Sequence, residues 1–204
     1  MDLKPITFKI LRYDPDKNTK PYYKTYQITL ERGMTVLDGL MHIKENQDST
    51  LAYRKSCRMG ICGSCAMYIN GLPRLVCQTQ ISELNSPVVV VAPLPNYPIL
   101  RDVVPDLDPL FIKHQNIKPY IIREDKAELE KPTGEFSQTP EELERYIQFS
   151  YCIKCGACLA ACPTVSTSDL FLGPQAGAQA YRYIADTRDD GFNERLQVVD
   201  DKYG

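Results

Sequence analysis

No run in the 204 residues approaches the ~20 consecutive apolar side chains that a membrane-spanning helix needs, and the longest candidate, Val88–Val91, is far too short. The amino terminus, Met1-Asp2-Leu3-Lys4-Pro5, has no apolar signal core, which predicts a chain made and kept on the reducing side of a membrane. Neither sign of charge is in excess: the formal net charge is −2, so no basic field is available to recruit nucleic acid. Only two histidines occur. His42 falls in a predicted helix and His114 in a proline-rich stretch, so both read as packing or surface residues rather than ligands. Internal repeats and low-complexity segments are also absent.

What the chain does have is eight cysteines in two tight sets. The first is Cys57, Cys62 and Cys65, closed by Cys77, with the C-x4-C-x2-C spacing of plant-type ferredoxins. The second is Cys152, Cys155, Cys158 and Cys162, followed at once by Pro163, which is the bacterial ferredoxin run. Disulfides suit small secreted domains, and this chain shows neither secretion nor smallness. Structural zinc sites usually pair two CxxC knuckles across an intervening stretch, whereas here at least three cysteines crowd into one loop of each set. Both sets therefore point to iron–sulfur clusters. The last cysteine of a bacterial run normally ligates a different cluster from the first three, so Cys162 stands apart from Cys152, Cys155 and Cys158.

Around these loops the first half reads as strands and the second as helices. Ile6, Phe8 and Ile10 share one face of a strand that ends in the turn residues Asp14-Pro15-Asp16 before Lys17-Asn18. Tyr22–Leu30 supplies its hairpin partner. Thr35 starts a helix with Val36, Leu37, Leu40, Met41 and Ile43 on its core face. Asn70-Gly71, between the runs Ala66–Ile69 and Leu72–Val76, is a strong two-residue hairpin signal. That hairpin carries Cys77 back beside the first cysteine loop. Val88–Ala92 is a last strand, and an irregular proline-rich exit, Pro93 to Pro98 and on through Pro105, Pro109 and Pro119, places a domain boundary near residue 105. Further on, Thr139-Pro140-Glu141-Glu142 is a capping box opening a helix to about Phe149, and Gly173-Pro174 opens another that Gly191 stops.

Gly60 and Gly63 in the first loop permit backbone conformations that aim peptide N–H groups at sulfur, one lever on a cluster's potential. Arg54, Lys55 and Arg58 flank the loop, either offsetting cluster charge or forming a solvated basic surface.

The stretch Ser56-Cys57-Arg58-Met59-Gly60-Ile61-Cys62-Gly63-Ser64-Cys65-Ala66-Met67, followed by Asn70-Gly71, resembles the iron–sulfur subunit of succinate dehydrogenases and fumarate reductases. The likeness continues through Pro93-Leu94-Pro95, the segment 101–106, the second cysteine run, Ala180-Tyr181-Arg182-Tyr183 and Arg188-Asp189, and so covers nearly the whole chain. It implies an α+β chain with a β-grasp ferredoxin domain over residues 1–105 and a helical, bacterial-ferredoxin-like domain over residues 106–204. It also implies a 2Fe-2S cluster on Cys57, Cys62, Cys65 and Cys77. A 4Fe-4S cluster would touch Cys152, Cys155 and Cys158, and a 3Fe-4S cluster would touch Cys162. The implied partners are a flavoprotein subunit, where succinate and fumarate interconvert, and a membrane-anchor subunit with a quinone, the chain lying peripherally on the cytoplasmic side. The carbon chemistry would belong to the flavin and not to this chain.

Three comparisons with the family pattern matter. Some members replace the third ligand of the first cluster with aspartate, where this chain keeps Cys65. Members also carry further cysteines that complete the second and third clusters, and a chain ending at Asp200-Asp201-Lys202-Tyr203-Gly204 without them predicts a truncated second domain. Many quinone-linked members place a tryptophan shortly after the Cys-Pro step, where this chain has Thr164-Val165-Ser166-Thr167 and no tryptophan anywhere. Three other readings remain open from the residues alone: the iron–sulfur subunit of another flavin- or thiol-linked fumarate reductase, a freestanding ferredoxin-like carrier, and a structural zinc module.

Overall fold

A computed structural model describes residues 4–17 and 20–202. Asn18 of the expected turn, Met1 to Leu3 and the last residues Tyr203 and Gly204 lie outside them. The chain folds into two compact units that meet in sequence between Leu107 and Asp108, and the short segment Ile153–Ala161 belongs to the first.

The first unit is built on a five-stranded mixed sheet against which helices pack. Strand β1 (Lys4–Arg12) pairs antiparallel with β2 (Tyr22–Leu30), setting Ile6 opposite Ile28 and Phe8 opposite Tyr26. Period-two alternation sends these four side chains to one buried face. Thr35 caps helix α1 (Val36–Asn46) in a capping box: its hydroxyl accepts from the Asp38 N–H, and its own N–H donates to the Asp38 carboxylate. The apolar face of α1 (Val36, Leu37, Leu40, Ile43) joins Phe8, Ile10, Met67, Val89 and Val91 in the core. Strands β3 (Ala66–Ile69) and β4 (Leu72–Leu75) form the expected hairpin, with Asn70 at φ 46° and Gly71 at φ 87°, as a type I′ turn requires. Strand β5 (Val88–Ala92) then inserts between β1 and β3, parallel to the first and antiparallel to the second, giving the order β2-β1-β5-β3-β4.

The proline-rich stretch is more ordered than its composition suggests. It holds a small hairpin, β6 (Ile99–Arg101) with β7 (Val104–Pro105), and the helix α2 (Asp108–Asn116). Pro105 closes a two-residue strand, and Pro109 is the second residue of its helix, where the missing N–H has no intrahelical partner to lose.

Arg12, at the inward-facing end of β1, is the polar centre of the first unit and only 6% exposed. It donates to Asp102 Oδ1 (3.0 Å), Asp48 Oδ2 (2.6 Å), Tyr26 Oη (2.6 Å) and Thr50 Oγ1 (2.9 Å). Asp102, in the β6–β7 turn, also accepts from the N–H groups of Tyr13 (2.9 Å) and Ala52 (2.7 Å). One guanidinium thus ties together β1, β2, the segment that leads into the first cysteine loop, and the β6–β7 hairpin.

The second unit is helical: after α2 come α3 (Lys126–Glu130), α4 (Pro140–Glu144), α5 (Ile147–Ser150) and, past α6 (Ala157–Ala161) of the first unit, α7 (Pro163–Thr167), α8 (Pro174–Ile184) and α9 (Phe192–Val199). The capping box at Thr139 forms as expected, but the single helix predicted to Phe149 breaks at Tyr146 (φ −135°), whose ring is buried and whose hydroxyl donates to Gln138 Oε1. Helix α8 ends at Ile184, not at Gly191. Asp186 there accepts from the backbone and guanidinium of Arg188 and turns the chain, and Gly191 instead precedes α9. His114 is buried, with Nδ1 3.1 Å from Gln175 Nε2, while His42 lies on an exposed face of α1. Arg195 is fully buried and donates to the carbonyls of Ile117, Lys118 and Tyr120 and to Asp189 Oδ1.

Burial works to raise the Asp48 carboxyl, but hydrogen bonds from Lys24, Thr50, Tyr26 and Arg12 outweigh it and hold the group well below the ordinary carboxylate value of 3.8. Its contribution to stability is therefore complete above about pH 4 and is lost as the pH falls from there toward the depressed folded value. Asp48→Asn should cost about 3 kcal/mol at neutral pH, the low end for breaking a buried pair because Arg12 keeps Asp102. In urea titrations from pH 7 to pH 3, the variant's stability should fall less steeply than the wild type's. Parallel curves would refute this account of Asp48.

Candidate metal centre

The first cysteine loop runs from the Arg12-anchored segment to β3, and its fourth cysteine returns on the far side of the β3–β4 hairpin. Cys57 is partly exposed and Cys62 exposed, while Cys65 and Cys77 are buried. The loop wraps its own first sulfur: Cys57 Sγ accepts from the N–H groups of Met59 (3.5 Å), Ile61 (3.4 Å) and Cys62 (3.4 Å). Left-handed residues at Arg58 (φ 59°) and Gly60 (φ 76°) turn the chain around that sulfur, and Gly63 (φ 73°) follows in the same conformation. The Ser64 hydroxyl donates to Cys62 Sγ (3.1 Å), and Gln78 Nε2 lies 3.7 Å from Cys77 Sγ. Sequence reading identified the glycines, but gave no role to Ser64 or Gln78.

The environment perturbs the Cys62 and Cys65 thiols in opposite senses. Hydrogen bonds, led by the Ser64 hydroxyl and followed by backbone amides, pull the Cys62 thiol down to about 6. Burial pushes Cys65 up to about 11. Four thiols carried by one loop and its return strand, with N–H and O–H donors aimed at sulfur, fit an iron–sulfur centre that would gain negative charge on reduction. Among the described residues no disulfide links any of the eight cysteines.

The second set divides differently. Cys155 and Cys158 sit on the segment Ile153–Ala161, which belongs to the first unit, while Cys152 and Cys162 flank it in the second. Lys154 (φ 53°) and Gly156 (φ 82°) shape the loop. Two residues of the proline-rich exit grip it. Asn96 Nδ2 donates to the carbonyls of Leu159 (2.9 Å) and Ala160 (3.3 Å), and the buried Tyr97 hydroxyl donates to that of Gly156 (3.1 Å). Burial first, then negative charge at Cys158 and Cys155, pushes the Tyr97 phenol well above its ordinary range. The exit had read as a mere connector; the signal that could have exposed it is a hydrogen-bonding Asn-Tyr pair between prolines. Pro163 starts α7, with Cys162 at the cap position before it.

Comparison with known proteins agrees with this geometry. The family model of the 2Fe-2S iron-sulfur cluster binding domain matches residues 7–112, and that of the 4Fe-4S binding domain matches residues 145–165. The fumarate reductase iron-sulfur subunit of Mycobacterium tuberculosis (strain CDC 1551 / Oshkosh) is 42% identical over 194 residues, covering 95% of this chain and 78% of the relative. The fumarate reductase iron-sulfur subunit of Haemophilus influenzae is 41% identical over 204 residues, covering 96% of this chain and 79% of the relative. Among solved structures, a chain of the Mycobacterium smegmatis Sdh1 complex in the apo form aligns with a TM-score of 0.84 at 27% identity, over 96% of this chain and 80% of that one. On a mixed sheet-and-helix fold that carries both cysteine sets, these likenesses settle the family: the chain belongs to the electron-transferring iron–sulfur subunits of fumarate reductases and succinate dehydrogenases.

Proposed function

We propose that the chain relays single electrons between a flavoprotein subunit, where succinate and fumarate interconvert, and a quinone at a membrane-anchor subunit. The observation that carries this reading is the donor-lined first cysteine loop, within a chain whose relatives are named fumarate reductase iron-sulfur subunits. No group in the chain is needed for the carbon chemistry, since hydride transfer is a cofactor's work.

In this reading Cys57, Cys62, Cys65 and Cys77 hold a 2Fe-2S cluster in a β-grasp domain over residues 1–105. Cys152, Cys155 and Cys158 contribute to a 4Fe-4S cluster, and Cys162 to a 3Fe-4S cluster, of the helical domain over residues 106–204. The clusters supply one-electron capacity. The chain's residues supply thiolates, amide donors that stabilise added negative charge, and burial that sets the local dielectric. Among the described residues no helix is long and apolar enough to cross a membrane. Attachment would accordingly be peripheral, through the anchor subunit and on the cytoplasmic side.

Two experiments test the reading. Anaerobically purified protein should contain iron and acid-labile sulfide and give a reduced-state EPR signal of the plant-type cluster. Cys57→Ser should disturb that signal and leave ligation by Cys152, Cys155 and Cys158 intact. Stoichiometric zinc without sulfide would sink the electron-transfer function and leave a structural zinc module.

Ser64→Ala, which removes the O–H donor to Cys62 Sγ, should lower the first cluster's midpoint potential. One hydrogen bond worth about 0.5–1.5 kcal/mol corresponds to about 20–60 mV for a one-electron couple. A redox titration monitored by EPR measures the shift, and an unchanged or raised potential would contradict the assigned donor.

A further inference from the structure

Gly63 lies between two cysteines of the first set, and its backbone touches the second cysteine loop. A Cβ built on it would stand 2.9 Å from the carbonyl oxygen of Ile153 and 3.0 Å from both Cα and Cβ of Cys155. Those neighbours are mostly backbone atoms, which cannot swing aside as a side chain can. Gly63 is buried. Further along the same segment, Asn96 and Tyr97 hold the carbonyls of Leu159, Ala160 and Gly156. All these residues lie in one compact unit.

We propose that Gly63, Asn96 and Tyr97 are positioning residues for electron transfer between the two cysteine loops. Gly63 keeps the approach free of side-chain bulk, and Asn96 and Tyr97 hold the loop of Cys155 in place beside it. The proposal rests on the electron-relay reading above. The step it concerns would pass one electron from a reduced first cluster to an oxidised second, with no bond formed or broken and no proton moved. Gly63 directly follows Cys62 and closely approaches the backbone of Cys155, so the two ligand loops meet here in one through-space contact. Any group that widens this contact slows transfer without changing either set of thiolates. Positioning of this kind needs groups that are themselves locked by packing and hydrogen bonds.

The test uses the cluster-loaded complex with its flavoprotein, in Gly63→Ala and in the double variant Asn96→Gly/Tyr97→Phe. Glycine suits position 96, where φ is 65°, so the double variant removes three hydrogen bonds while sparing both cysteine loops. In fully reduced samples, the enhanced spin relaxation of the first cluster's EPR signal reads its distance from the second and is insensitive to driving force. Rapid-mixing experiments read the transfer rate. Both variants should show weakened relaxation enhancement and a several-fold slower rate at wild-type iron and sulfide content. The proposal is overturned if the double variant keeps the wild-type spin interaction and rate, or if Gly63→Ala loads both clusters and keeps them. Should Gly63→Ala lose its first cluster through backbone strain, the double variant decides alone. Wild-type complex lacking the first cluster's signal would instead sink the relay reading itself, a different outcome from unchanged variants.

Discussion

The buried guanidinium of Arg12 is the constraint on which the first unit depends. Alternation along β1 sends position 12 to the same face as Ile6, Phe8 and Ile10, so a cation enters the edge of the core. Burial opposes its charge, but hydrogen bonds to Asp102 and Asp48 outweigh that penalty and keep it ionised. A buried ion pair of this kind adds little net stability against an apolar replacement, so its effect is chiefly on geometry. Asp102 holds the amide of Ala52, five residues before Cys57, and the Asn70-Gly71 turn returns Cys77 from the other direction. With entry and return both fixed, the intervening loop can sustain left-handed residues at Arg58, Gly60 and Gly63 and an exposed tip at Met59 and Ile61.

The second unit uses the same device in a different role. The stretch 117–120 has carbonyls turned into the interior, and such groups must find donors. Arg195 satisfies three of them and Asp189 together, with its guanidinium 5.0 Å from the centre of the Tyr183 ring. Tyr183 in turn donates to the Pro119 carbonyl. Only the planar fork of arginine offers enough donors in a fixed arrangement for this. It also explains why Arg188 and Asp189 stand side by side: the first closes the turn on Asp186, and the second holds Arg195 and the amides of Ile122 and Gly191. These residues carried the family likeness in the sequence, yet their work in the structure is mechanical.

What was legible in the sequence followed from local chemistry. The alternation of Ile6, Phe8 and Ile10, the Thr35 cap, the Asn70-Gly71 turn and the Thr139-Pro140 capping box each specify a short piece of backbone through near neighbours, and each is present. The cysteine sets were legible for the same reason, since ligand spacing within a loop is a local property. What escaped depends on distant partners. The parallel insertion of β5 beside β1 has no signature in either strand. The break at Tyr146 depends on Gln138 accepting its hydroxyl proton and on Arg188 donating to the same oxygen. The end of α8 depends on Asp186 preferring Arg188 to another helical turn. Most consequentially, the segment Ile153–Ala161 lies among helical sequence but packs with the sheet unit, through Asn96, Tyr97 and Gly63.

Two separate demands meet at Gly63, and only their combination singles out glycine. Its φ of 73° is a left-handed value that asparagine tolerates, as Asn70, Asn85 and Asn96 of this chain do. Backbone conformation alone would therefore leave a choice at this position. The approach of the Ile153 carbonyl and the Cys155 backbone removes it, because any Cβ would collide with backbone atoms of a segment whose following residues Asn96 and Tyr97 hold. At Gly60 the corresponding neighbour is the Gln78 side chain, which can move. The first glycine of the loop is thus needed for the fold of the loop around Cys57. The second is needed for what the loop touches, which makes it the residue where the geometry of one cysteine set is tied to that of the other.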